Sequence, residues 1–267
     1  MGELLNLGGR LMDVSECRVM GILNVTPDSF YGVSRETEER GIASRVNAII
    51  EEGGDIIDIG GCSTRPGSEP VSEAEEMSRL RKGLSIARRE RPDAVLSVDT
   101  FRKDVARMAV EEYGAEIIND VSEGADPGMF GMVARLGVAY ILTSQKGDIG
   151  TMLRCFAEET DELRGLGVKD IILDPGFGFG KDVDQNYAVL SGMEKLAVFG
   201  MPVLVGVSRK RMVYELLGGD ADRALNGTTV LNVLALIKGA GILRVHDVRE
   251  AREACAIYKK YKTSLLS

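Results

Sequence analysis

The chain has 267 residues, 44% of them apolar, and a formal net charge of −8 from 41 acidic and 33 basic residues. Length and apolar share suit one α/β barrel with a substantial core; the acidic balance argues against a nucleic-acid partner, yet a few local Arg and Lys residues could hold a small anion. No apolar run approaches the ~20 residues of a membrane span, and neither a signal-peptide pattern nor a CxxC pair among Cys17, Cys62, Cys155 and Cys255 is present, so no zinc site or disulfide framework is expected and a reduced, cytoplasmic setting fits.

In chain order, residues 1–17 show no clear period and are expected as an arm or a cover for the barrel bottom. Arg18–Asn24 reads as the first strand, followed by a Thr26-Pro27-Asp28-Ser29 turn. Glu36–Glu52 is helical in spacing, with Ile42, Val46, Ile49 and Ile50 on one face. Ile56–Ile59 is the next strand, and Gly60–Pro70 is a glycine- and proline-rich loop. Ser72-Glu73-Ala74-Glu75 has the spacing of a capping box and opens the second helix.

Six further apolar runs continue the series: Val95–Val98, Ile117–Asn119, Ala139–Leu142, Ile171–Leu173, Val203–Val207 and Ile242–Val245. Helical patterns separate them at Arg102–Tyr113, Met129–Leu136, Gly150–Leu166, Asp182–Glu194, and Arg209–Leu217 with Arg223–Ile237. A last one, Val248–Tyr261, is opened by a second capping-box spacing, Asp247 with Glu250. Eight β-then-α units predict a TIM (β/α)8 barrel, with residues 18–267 forming a single domain.

The apolar runs end on polar residues: Asn24, Asp99, Asn119, Asp174, Ser208 and His246. Any one of these alone reads as a helix N-cap. Together on one barrel rim they read as a site. A partly buried carboxylate there can accept two hydrogen bonds from an N–H beside an NH₂, an edge that pterins and guanines display. One histidine among scattered acids is a poor transition-metal set. Arg244 and His246 alternate about Val245 and so point the same way; with them, a phosphate or diphosphate is the fitting partner. Ser208 opens the Ser208-Arg209-Lys210-Arg211 segment at a strand end and would add backbone donors for an anion, with Arg209 and Lys210 expected to bind substrate. The glycines of Gly176-Phe177-Gly178-Phe179-Gly180-Lys181 match neither G-x-G-x-x-G nor a P-loop. Phe179 could stack on a flat heterocycle or fill the rim.

With these residues in view the chain resembles the dihydropteroate synthases. The matching stretches are Gly21–Phe30, Gly54–Gly61, Ser63–Gly67, Ser97–Thr100, Ile117–Asp120, Asp174–Lys181, Leu204–Gly206 with Ser208–Lys210, and Arg244–Val248, in family order. The resemblance implies a transferase of folate biosynthesis. It would condense 6-hydroxymethyl-7,8-dihydropterin diphosphate with p-aminobenzoate, giving 7,8-dihydropteroate and diphosphate. Asp174 would grip the pterin edge with Asn119 and Lys210, beside Phe179 and Gly206. Asn24 would hold Mg²⁺ against the diphosphate, whose oxygens would meet Thr64, Arg65, Arg244 and His246. Asp99 would stabilise the positive charge that develops on the pterin methylene. Barrels of this type pair through late helices, here including Val230–Ile237, which implies a homodimer.

Four departures from the family pattern stand out. Thr143-Ser144-Gln145-Lys146-Gly147 replaces a Met-His-Met segment, Ser29–Ser34 lacks the usual Ser-Asp-Gly-Gly, Cys62 stands where glutamate is common, and Arg211 stands where serine is. Two other readings stay open: a weakly active or inactive pterin-binding paralogue, motivated by the altered Thr143–Gly147 segment, and a pterin-dependent methyltransferase domain, which shares the barrel and the pterin acids. The second has no need of a diphosphate site.

Overall fold

The structure, a computed structural model, describes residues 4–26, 35–62 and 71–264. A hairpin comes first, β1 (Leu4–Leu7) pairing antiparallel with β2 (Arg10–Asp13). The barrel strands are β3 (Arg18–Asn24), β4 (Ile56–Gly60), β5 (Val95–Asp99), β6 (Ile117–Asp120), β7 (Ala139–Thr143), β8 (Ile171–Asp174), β9 (Leu204–Val205) and β10 (Ile242–Val245). They form one parallel sheet in the order β8-β7-β6-β5-β4-β3-β10-β9. A parallel bridge between Leu173 and Val203 joins its two edges, so the sheet closes into the expected TIM barrel. The helices are α1 (Arg35–Glu51), α2 (Glu73–Glu90), α3 (Lys103–Tyr113), α4 (Met129–Leu136), α5 (Ile149–Gly165), α6 (Val183–Gly192), α7 (Arg211–Tyr214), α8 (Leu225–Ile237) and α9 (Val248–Ser264).

Side chains alternate across each strand, and that alternation builds two different layers. Met20, Ile56, Val95, Ile117, Ala139, Ile172, Leu204 and Ile242 pack together inside the barrel, and Leu5, Leu7 and Val14 from the hairpin side join the same cluster. The hairpin therefore stoppers one end of the barrel. Two residues further along each strand, the same face carries Ile22, Asp58, Ser97, Asn119, Ile141, Asp174, Gly206 and Arg244. The apolar lower layer gives way to a polar upper one. The alternate residues, such as Ile57, Leu96, Ile118, Leu173 and Leu243, belong to the larger core shared with the helices.

Three expected elements differ in extent. The Val203–Val207 run pairs only over Val203 and β9, and the Arg209–Leu217 helix shrinks to α7. Arg209 has φ 54°, a left-handed conformation that a right-handed helix cannot contain. The Asp182–Glu194 helix starts from a full capping box, Asp182 with Gln185, and passes after Gly192 into a 3₁₀ turn, Met193–Phe199. Ser72 caps α2, its hydroxyl accepting from Glu75 N at 3.2 Å. At Asp247 the expected cap is replaced, because Arg209 donates to both carboxylate oxygens.

The cysteine expectation needs correction. Cys17, just before β3, and Cys255 on α9 are joined by a disulfide across 238 residues of sequence, with Cα atoms 5.8 Å apart. The last helix folds back onto the first barrel strand, a neighbourhood created by barrel closure that linear spacing does not display. No helix among the described residues is long and apolar enough to cross a membrane.

Candidate active site

The strand-end residues meet at one mouth of the barrel. Arg244 is its centre. Nε of Arg244 donates to Asp58 Oδ2 and Nη2 to Asp99 Oδ2, both at 2.6 Å. Asn119 Nδ2 donates to the same Asp58 oxygen at 3.2 Å. Burial opposes the charge of Arg244, but Asp58 and Asp99 outweigh it and hold the guanidinium protonated, above its ordinary range. Burial pushes the Asp99 carboxyl up to about 7, with Arg244 opposing and Asp58 adding to the rise. Near neutrality Asp99 is thus poised between its two charge states. Asn24 lies beside it: a Cβ placed on Gly60 would stand 3.5 Å from Asn24 Oδ1 and 3.6 Å from Asp99 Cβ.

Asp174 ends β8 and is 5% exposed. Its Oδ1 accepts from Gly176 N at 2.8 Å, and burial raises its carboxyl above the ordinary value against the pull of Lys210. Gly176 is required where it stands. Its φ is +67°, and a Cβ there would come within 2.0 Å of Ser144 O. Lys210 Nζ donates to Phe177 O and sits 4.6 Å from the centroid of the Phe179 ring. Phe177 fills the core, whereas Phe179 is partly exposed and stacks against the lysine. Burial pulls Lys210 down to about 8, with Asp174 resisting, so it stays largely protonated at neutral pH. Gly206 is the close neighbour of Arg244 and Lys210, each within 3.8 Å of a Cβ built on it.

Other expected site residues do different work. His246 N donates to Ser208 Oγ at 3.1 Å, and its carbonyl accepts from Arg45 Nη2 at 2.6 Å. Burial, together with the charges of Arg244 and Arg45, lowers the imidazole to about 4. His246 is therefore neutral at pH 7 and would meet an anion as a hydrogen-bond partner, not as a cation. Arg209 is turned away from the ligand role expected of it. It holds Asp247 at 2.9 and 2.7 Å and donates to the carbonyls of Ala221 and Asp222 at 3.1 and 3.3 Å. Those contacts hold the left-handed turn before α7. Thr64 and Arg65 lie outside the described residues, as do residues 27–34 and the rest of 63–70.

The Thr143–Gly147 segment adjoins this mouth. Ser144 N donates to Asp174 O at 2.8 Å. Glu123 organises the segment, accepting from Gln145 N at 2.7 Å, Ser144 Oγ at 3.3 Å and Lys146 Nζ at 3.0 Å. Lys181 then ties both loops together through the carbonyls of Ser144, Gly176 and Phe179, at 2.9, 2.9 and 3.2 Å. Reading strand ends alone overlooks Asp58, Glu123 and Lys181. Asp58 had a signal, a single carboxylate inside the apolar run Ile56–Gly60. Glu123 had none, since it sits among polar loop residues.

The model of the family described as pterin binding enzyme matches residues 20–246. The dihydropteroate synthase of Escherichia coli (strain K12) is 37% identical over 93% of this chain and 93% of its own length. The chain belongs to the dihydropteroate synthases, within the pterin binding enzyme family. Two solved dihydropteroate synthases of Xanthomonas albilineans superpose on it. One, with 4-aminobenzoic acid, has a TM-score of 0.92 and 35% identity over 98% of this chain and 99% of the other. The second, in complex with 7,8-dihydropteroate, has a TM-score of 0.88 and 33% identity over 97% and 98%. Against that family background, the polar Thr143–Gly147 segment of this dihydropteroate synthase stays packed beside Asp174 through Glu123 and Lys181.

Proposed function

We propose that this mouth joins 6-hydroxymethyl-7,8-dihydropterin diphosphate to p-aminobenzoate. The C–O bond from the pterin methylene to diphosphate breaks, and a C–N bond to the arylamine forms. The observation that carries the reading is the convergence of Asp174, Asn119 and Lys210 with the Asp58–Arg244–Asp99 network. One half offers acceptors from Asp174 and Asn119 and a donor from Lys210 for a heterocycle with adjacent N–H groups. The other offers a buried cation and a carboxylate for charge that separates as an anion leaves. Such a reaction calls on positioning and electrostatics, with no protein nucleophile.

Asp174 Oδ1 is already engaged by Gly176, which leaves its other oxygen to accept from the pterin edge. Asn119 Oδ1, buried without a partner, is a second acceptor. As the methylene–oxygen bond lengthens, positive charge grows on the pterin and Asp99 stabilises it in its ionised form. Arg244 and His246 receive the departing diphosphate, the first by charge and the second by hydrogen bonding, and Thr64 and Arg65 are assigned to the same anion by the family pattern alone. Asn24 is the residue we assign to Mg²⁺. Magnesium keeps several waters and binds through substrate phosphates plus one or two protein oxygens. One amide at the mouth suits that mode, and among the described residues no cluster of three or more His, Cys, Asp or Glu could enclose a metal instead. Bound there, the ion would offset charge on the leaving diphosphate.

The assay is direct. With both substrates and Mg²⁺, dihydropteroate and diphosphate should form in equal amounts. Tight pterin diphosphate binding with diphosphate release at background would refute the catalytic reading in favour of a binding-only paralogue. A homodimer fits as well. Val230, Leu234 and Ile237 lie exposed along α8, as do Ile257 and Tyr261 on the neighbouring α9, and apolar side chains gathered on one face suit a partner surface. Sedimentation equilibrium should give twice the chain mass, and Leu234→Glu should reduce it to the monomer; a monomeric unmutated protein would refute the pairing.

A further inference from the structure

Asp58 stands in the polar layer with Asn119 and Arg244, and its chemistry is unusual for a structural group. It is fully buried in the middle of β4. Oδ2 accepts from both Arg244 Nε and Asn119 Nδ2, while Oδ1 has no hydrogen-bond partner. A buried carboxylate oxygen left bare is costly, and a whole buried ion network is often no more stabilising than well-packed apolar residues of the same volume. The side chain is therefore better explained by what it imposes on its two neighbours.

On Asn119 it imposes an orientation. A side-chain amide can flip, exchanging oxygen for nitrogen at the ligand. With a carboxylate on one side, only Nδ2 can face it favourably. Oδ1 must then point the other way, and it is buried without a partner, an acceptor awaiting a donor. On Arg244, Asp58 and Asp99 together occupy the Nε and Nη2 edge, so Nη1 is left with no hydrogen bond among the described residues. The guanidinium is thereby held along one edge by two carboxylates.

We infer that Asp58 is a positioning residue that sets the Asn119 amide as an acceptor for a heterocycle N–H and locks the edge of Arg244, through its shared Oδ2. The inference rests on the pterin reading of the site. It makes Asp58 a determinant of which ring edge is accepted, although Asp58 itself does not touch substrate. An asparagine at position 58 has the same shape, but Arg244 Nε keeps its single oxygen, so Asn119 Nδ2 is left with a shared, uncharged acceptor in place of a carboxylate; the hold on the Asn119 amide weakens, and the amide can turn and offer the pterin a donor against a donor.

The test is calorimetric titration of 6-hydroxymethylpterin, and separately of inorganic diphosphate with Mg²⁺, into the unmutated protein, Asp58→Asn, Asn119→Ala and the double variant. Asp58→Asn should lower pterin affinity at least about tenfold, the loss of roughly one hydrogen bond. Adding Asn119→Ala should then cost less than it does in the unmutated protein, because the amide has already lost its fixed orientation. Diphosphate affinity should hold or rise, since a negative charge near the anion has been removed. General damage to the mouth would lower both ligands together, and that result overturns the inference, as does full additivity or an unchanged pterin affinity. Should Asp58→Asn not fold, Asp58→Glu keeps the charge but displaces Oδ2, and the same pterin-selective loss is expected. If the unmutated protein itself binds no pterin, the proposed function falls first and takes this inference with it.

Discussion

Arg244→Ala should lower turnover by at least about a thousandfold, roughly 4 kcal/mol of transition-state stabilisation. It should also cost about 3–5 kcal/mol of stability, because removing one partner of a buried ion network leaves the others uncompensated. Here the remainder is a pair of carboxylates, Asp58 and Asp99, which both reach the same guanidinium at 2.6 Å. The pH dependence of the stability loss has a defined sign. The Asp99 carboxyl already stands at about 7, above its ordinary value of 3.8. A group whose folded value is raised favours the folded state when protonated, so stability falls as pH rises across that window. Without Arg244 the folded value climbs further. The variant should therefore melt closest to the unmutated protein near pH 5 and farthest from it near pH 8. Thermal denaturation at both pH values checks this, and a destabilisation independent of pH would contradict the carboxylate-pair account.

Asp174→Asn should weaken pterin binding by about a hundredfold or more while leaving diphosphate affinity within a few-fold. A site built to accept hydrogen bonds rejects a mismatch strongly, because buried donors are then left unpaired. The new amide also faces Gly176 N, which needs an acceptor at 2.8 Å. Satisfying that bond forces the NH₂ toward the pterin edge, donor against donor. The substitution also removes the carboxylate that supports the charge of Lys210, so the Lys210 pKa should drop further. Calorimetry with 6-hydroxymethylpterin reads the outcome; unaltered affinity would remove Asp174 from the pterin site.

The barrel and most of its mouth were legible in the sequence for a physical reason. Buried parallel strands must be apolar, so a polar residue at the end of such a run, as at Asn24, Asp99 or Asp174, is conspicuous. What stayed hidden depends on closure in three dimensions. Nothing local marks Cys17 and Cys255 as neighbours, or Glu123 as the acceptor that orders Ser144 to Lys146. Arg209 looked like a ligand residue from its place after Ser208. Its left-handed backbone, which no spacing rule reveals for a non-glycine residue, turns it onto Asp247 instead. Charge state was also illegible: His246 beside Arg244 suggests a cation pair, yet that same proximity, with burial, keeps the imidazole neutral.

The seam of the barrel has a thermodynamic meaning. β9 is two residues long, and a lone bridge from Leu173 to Val203 fastens it to β8. Asp174 stands on one bank of that gap, and Lys210 follows from the other. A ligand gripped by both would act as a clasp across the weakest stitch in the cylinder. Amide protons of residues 171–174 and 203–207 should then exchange with deuterium more slowly when pterin is bound, and the gain there should exceed that along β4 and β5.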